Sequence, residues 1–128
     1  MNLWNSIILG LAGLYGAAGV ALAAWASHRA GGEILMTAAL FLLLHAAAML
    51  AIALAPARRA LLWGASILAT GVGLFSGDLA LRLIANVKPL ALAAPFGGML
   101  MILGWLWLAG AAFTIRAKNN PPRGLNTR

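Results

Sequence analysis

The sequence contains no cysteine. That absence excludes disulfides, thiolate metal sites and thiol nucleophiles together. Acid is nearly as scarce. Glu33 and Asp78 are the two carboxylates in 128 residues, and they lie far apart in sequence, so paired-carboxylate acid–base chemistry has no candidate. Histidine is limited to His28 and His45, too few for a metal-ligand cluster. Phosphate-loop and activated-serine motifs are also missing. Ser76-Gly77-Asp78 lacks the elbow glycine that precedes a nucleophilic serine. These gaps predict a protein that is not an enzyme and holds no metal or cofactor. Charged residues of both signs make up 9% of the chain, against about 25% in soluble domains.

Apolar residues fill the space that charge leaves. They form 63% of the sequence, and mean hydropathy is +0.94. A chain this short has too little interior to hide so much apolar surface from water, so lipid must solvate most of it. Nine Lys and Arg against two acids give a net charge of +7. Most of that charge sits at segment ends and in the tail, where membrane topology and anionic lipid head groups account for it. No basic helix or aromatic–basic interleaving supports nucleic-acid binding.

Polar and turn residues divide the chain into four apolar runs, about 3–25, 34–55, 60–84 and 90–115. The dividers are Ser27 to Glu33, Pro56 to Arg59, and Asn86 to Pro89. Each run exceeds the roughly 20 residues needed to cross about 30 Å of hydrocarbon as a helix. Helices are required, because lipid cannot satisfy exposed backbone groups. The reading is an all-α integral membrane protein of four antiparallel transmembrane helices, forming a domain over 1–115. Residues 116–128 form a basic flexible cytoplasmic tail, rich in polar residues and carrying Pro121-Pro122. No basic residue precedes the first run, and the run is longer than a signal peptide's apolar core, so it reads as a retained helix. Six Lys and Arg fall on the side shared by the termini (Arg58, Arg59, Arg116, Lys118, Arg123, Arg128) and three on the other (Arg29, Arg82, Lys88). The positive-inside rule then predicts both termini in the cytoplasm.

Small residues recur at helical spacing. Gly13 and Gly16 lie in the first run and Gly73-x-x-x-Gly77 in the third. Gly97, Gly98 and Gly104 lie in the fourth. Lipid gives no hydrophobic drive to helix association, so close packing at such residues must supply it. They predict tight helix contacts within one chain or between protomers. Trp25, Trp63, Trp105 and Trp107 are large apolar anchors, the first two near span ends.

Four polar residues lie in or at the spans. Asp78 and Arg82, four apart, share one helix face and predict an ion pair. His28 ends the first helix on the same side and is a candidate third member of that cluster. The cluster reads either as a structural pin or as a proton, ion or head-group site. His45 lies near the middle of the second run. It is either a neutral imidazole bonded to a facing carbonyl or hydroxyl, or a relay or haem ligand. The unequal depths of His28 and His45 speak against a bis-histidine haem.

The chain resembles a known family on Gly16 through Ala23 leading to His28, Leu44-His45-Ala46, and Gly71 through Gly77 with its Phe75-Ser76-Gly77. The resemblance continues in Ala94-Pro95-Phe96-Gly97-Gly98 and Gly104-Trp105. These elements resemble the small four-helix membrane proteins grouped as domain of unknown function 423, over roughly residues 10–115. The resemblance implies an inner-membrane protein without an established activity. It also implies that a small or hydroxyl residue commonly stands where this chain has Asp78, and that the tail beyond Ile115 is particular to this chain. The expected partners are the lipid bilayer, copies of itself or other membrane subunits, and anionic head groups near the tail. The expected role is an accessory or structural subunit. The alternatives are a small oligomeric transporter or channel, and a cofactor-binding subunit of an electron-transfer complex.

Overall fold

The computed structural model describes residues 2–30, 32–56, 58–86 and 92–119, with side chains through 115. Lys88, Pro89 and residues 120–128 of the tail lie outside the described residues. Four helices follow one another: α1 (Leu3–Ser27), α2 (Glu33–Leu54), α3 (Arg59–Ile84) and α4 (Ala93–Asn119). All four are long and apolar enough to cross a membrane. The bounds differ from the sequence reading by one or two residues at most ends. The exceptions are in α4, which begins at Ala93 and runs four residues past 115.

Local chemistry explains the ends. Asn2 caps α1, its Oδ1 accepting from the Asn5 backbone N–H at 2.9 Å, which satisfies one of the amides that a helix start leaves bare. After α3, Asn86 adopts a left-handed φ of 51°, a conformation asparagine tolerates where a helix stops. In the first turn, a Cβ on Gly32 would collide with the Ala26 backbone carbonyl. The α1–α2 connection therefore needs a residue without a side chain at that position.

The helices pack in chain order. α1 lies on α2, α2 on α3 and α3 on α4, and α1 also touches α3. Among the described residues, the backbones of α1 and α4 do not approach each other. The arrangement is thus an open row folded on itself, with α2 and α3 inside and α1 and α4 outside. Two apolar cores follow. Ile8, Ala12, Met49, Ala53, Leu62, Ala65 and Ala69 join α1, α2 and α3. Leu42, Leu68, Val72 and Met101 join α2, α3 and α4.

Polar ties between helices fix the register. Trp4 Nε1 donates to Ser66 Oγ at 3.1 Å, Asn5 Nδ2 to the Ala53 carbonyl at 2.8 Å, and Trp107 Nε1 to the Ala60 carbonyl at 2.7 Å. They bring the N-terminal parts of α1 and α3 against the C-terminal parts of α2 and α4 at one end of the bundle. Deeper, Tyr15 Oη donates to the Ala69 carbonyl at 2.9 Å and Ser76 Oγ to the Ala38 carbonyl at 3.0 Å. Such bonds between membrane helices contribute about 0.6 kcal/mol each on average.

Candidate functional site

Asp78 and Arg82 lie one turn apart near the end of α3. Arg82 Nε approaches Asp78 Oδ2 at 2.8 Å. The carboxylate is almost sealed, its side chain 1% exposed, while the arginine side chain is 35% exposed. The contact is an ion pair rather than a well-aligned hydrogen bond. Among the described residues both Asp78 oxygens lack a hydrogen-bond partner, although they are buried. The helix itself does not favour the acid, since a carboxylate near a C-terminus opposes the macrodipole and a cation there complements it. Arg82 has a further interaction beyond this pair. Ion pairing therefore holds Asp78 in place.

His28 is the C-cap of α1. Its backbone N–H bonds the Trp25 and Ala26 carbonyls, and its side chain is exposed. Among the described residues its imidazole makes no hydrogen bond or ion pair, so it is not joined to Asp78 or Arg82.

His45 is buried at 5% exposure and bonded on both ring nitrogens. Nδ1 lies 2.8 Å from the Phe41 carbonyl one turn before it. Nε2 lies 3.3 Å from Trp105 Nε1 on α4. A carbonyl only accepts and an indole N–H only donates. The arrangement fits one species, the neutral imidazole with its proton on Nδ1. The ring also stacks on Phe41, which tilts against Phe75 at 4.7 Å. An apolar groove of about 330 Å³ runs over these rings between α2 and α4, edged by Gly98, Ile102 and Trp105. His45 thus ties α2 to α4 across a gap where their backbones do not meet.

That tie gives a testable expectation. His45→Leu removes the acceptor of Trp105 and lowers stability by about 1 kcal/mol. Trp105→Phe costs less once His45 is already leucine. A double-mutant cycle by thermal unfolding in detergent should therefore show coupling between the two. Strict additivity would mean that the 3.3 Å contact contributes nothing.

The glycines expected to pack fall into two groups. A Cβ on Gly97 would lie 2.6 Å from the Gly71 carbonyl oxygen and 2.6 Å from the Phe75 amide nitrogen. On Gly104 it would meet Leu68 Cδ2 at 2.7 Å, on Gly73 the Tyr15 hydroxyl at 2.6 Å, and on Gly16 only Ala46 Cβ at 4.0 Å. At Gly13, Gly77 and Gly98 a Cβ would have no described residue within 4 Å. Gly64, which precedes the Gly73-x-x-x-Gly77 pattern, is a close-approach position, as are Gly19 and Gly71, which the spacing argument did not single out as packing sites. Trp105 was legible as an apolar anchor but not as the donor to His45. The (i, i+4) step from Phe41 to His45 was the available signal, and it points to α2 alone.

No group of three or more His, Cys, Asp or Glu able to hold a metal exists among the described residues. The Nε2 lone pair of His45 faces the Trp105 indole N–H.

A family profile described as "Protein of unknown function (DUF423)" matches residues 12–98. A UPF0382 membrane protein of Staphylococcus aureus (strain bovine RF122 / ET3-1) is 35% identical over 51 residues, which are 40% of this chain and 42% of that protein. The chain thus spans about two fifths of the length of the curated relative it matches. No solved structure matches.

Proposed function

Because the chain belongs to the DUF423 family of membrane proteins of unknown function, we propose that it is a non-enzymatic packing subunit of the bacterial inner membrane, assembling with itself or within a larger membrane complex. One observation carries the reading. At mid-depth Tyr15, His45 and Ser76 each hold a side-chain hydrogen bond between helices, and the gaps beside them are lined by apolar groups apart from His45, whose second ring nitrogen bonds within α2. A conduit for ions or polar solutes needs polar groups facing the space it opens. Here the polar atoms are already bonded within the bundle. Meanwhile the outer helices carry open glycines, Gly10 and Gly13 on α1 and Gly98 and Gly110 on α4, where another helix's backbone can approach closely. The Lys and Arg count favours both termini in the cytoplasm, and the basic charge beyond Ile115 suits anionic head groups.

Native mass spectrometry of the complex extracted in mild detergent tests this. A stoichiometric assembly is expected, either a homo-oligomer or a complex with another membrane subunit. Gly13→Leu or Gly98→Leu should dissociate it without lowering the unfolding temperature of the chain, since each fills space that is open in the single chain. A wild-type chain that extracts as a monomer under all mild conditions refutes the proposal. Asp78, a buried carboxylate without hydrogen bonds, favours the ion-translocating alternative. Proteoliposome flux that Asp78→Asn abolishes without loss of stability would select it.

A further inference from the structure

The turn between α1 and α2 holds the other acidic residue, at the head-group end of the bundle. Arg29 and Glu33 line one open cavity of about 340 Å³, together with Ala26, Gly32 and Met36. The two charges are opposite and share that cavity, yet among the described residues neither forms an ion pair. Arg29 is instead held over the Trp25 ring, 5.5 Å from its centroid. Glu33 opens α2, and the N-cap before it is Gly32, which offers no side-chain cap. The first amides of α2 therefore look to solvent or a ligand for acceptors, and the helix end adds positive potential.

The cavity thus has a cationic part, made by Arg29 and the start of α2, and an anionic part, made by Glu33. Apolar Ala26 and Met36 border both. Trp25 marks this level as the membrane interface, where indole rings concentrate. We propose that the cavity binds the zwitterionic head group of a phosphatidylethanolamine-type lipid. Its phosphate accepts from the Arg29 guanidinium, its ammonium donates to the Glu33 carboxylate, and its acyl chains leave along Met36. A primary ammonium donates hydrogen bonds to a carboxylate, whereas a quaternary choline has none to give. Choline's usual compensation is an aromatic face, and Arg29 already covers that of Trp25. An anionic glycerol head group would place no cation at Glu33 and would add negative charge beside it.

The full-length chain is purified and exposed to an equal mixture of phosphatidylethanolamine, phosphatidylcholine and phosphatidylglycerol, and retained lipids are read by native mass spectrometry. Phosphatidylethanolamine should be retained about tenfold over the other two, the equivalent of one charge-assisted hydrogen bond. Glu33→Gln should bring the preference over phosphatidylglycerol close to one. Arg29→Gln should lower retention of both lipids. Both side chains are exposed, so the unfolding transition should stay in place. A measurement on the unaltered chain stands beside the variants: soluble phosphoethanolamine should displace the lipid better than glycerol phosphate. Equal retention of the ethanolamine and choline lipids by the wild type overturns the proposal. So does a preference that survives Glu33→Gln.

Discussion

Gly97→Ala is expected to lower the stability of the bundle by about 2–3 kcal/mol, the upper part of the range for overpacking, while Gly98→Ala, one residue on, leaves it unchanged or raises it. The two glycines stand side by side in Pro95-Phe96-Gly97-Gly98, and sequence treats them alike. The structure separates them. A methyl at Gly97 would sit 2.6 Å from the backbone of α3 at both Gly71 O and Phe75 N, whereas at Gly98 it would meet nothing within 4 Å. Backbone cannot rotate aside as a side chain does, so α4 must move away from α3. That movement weakens the Leu68, Val72 and Met101 core that joins them. At Gly98 the helix-propensity gain of alanine over glycine, about 1 kcal/mol at most, is unopposed. Gly71 faces the same contact from the other side, where a Cβ would lie 2.8 Å from Met101 N and 2.9 Å from Gly97 O. Gly71→Ala should therefore cost about as much as Gly97→Ala. The double variant should cost less than their sum, because one separation of the helices accommodates both methyls. Unfolding of each variant in detergent measures this. Equal effects at Gly97 and Gly98 would contradict the packing described.

The second large effect is expected at Arg82. Arg82→Met removes the counter-ion of a carboxylate whose side chain is 1% exposed. Removing one partner of a buried pair typically costs about 3–5 kcal/mol, since the remaining charge stays buried without compensation. Arg82 also has another interaction to lose, which acts in the same direction. Asp78→Asn should be milder, at about 1 kcal/mol. The arginine it strands is 35% exposed and has a long stem that can carry its charge toward the interface. Combining Asp78→Leu with Arg82→Met should restore most of the stability lost in Arg82→Met alone, because a buried ion pair is often no better than apolar residues of similar size. The order of severity is the diagnostic result. If Asp78→Asn proved worse than Arg82→Met, the carboxylate would be engaging something other than its arginine.

Several features were readable one residue at a time. The ion pair followed from spacing alone, since (i, i+4) neighbours on a helix meet wherever that helix sits. The position of His45 near mid-span was read from the run that holds it. Its partner did not, because Trp105 lies 60 residues away on a helix whose backbone does not touch α2. His28, proposed as a companion to Asp78 from its place at the same end, is exposed, and among the described residues its side chain makes no bond. Sharing a depth in the membrane does not mean sharing a side of the bundle.

The same distinction divides sequence from structure throughout. Run length and scarcity of charge were enough to establish four membrane-crossing helices, because lipid imposes its demand on every residue of a span and the signal adds along the chain. They were not enough to orient any helix about its own axis. In water a helix buries its apolar stripe and exposes the rest. In these spans every side is apolar, so nothing in the pattern says which face meets a neighbour. Only the folded bundle decided that Gly97 meets backbone and Gly98 meets open space, that Trp105 reaches His45, and that Arg29 and Glu33 share a cavity without pairing.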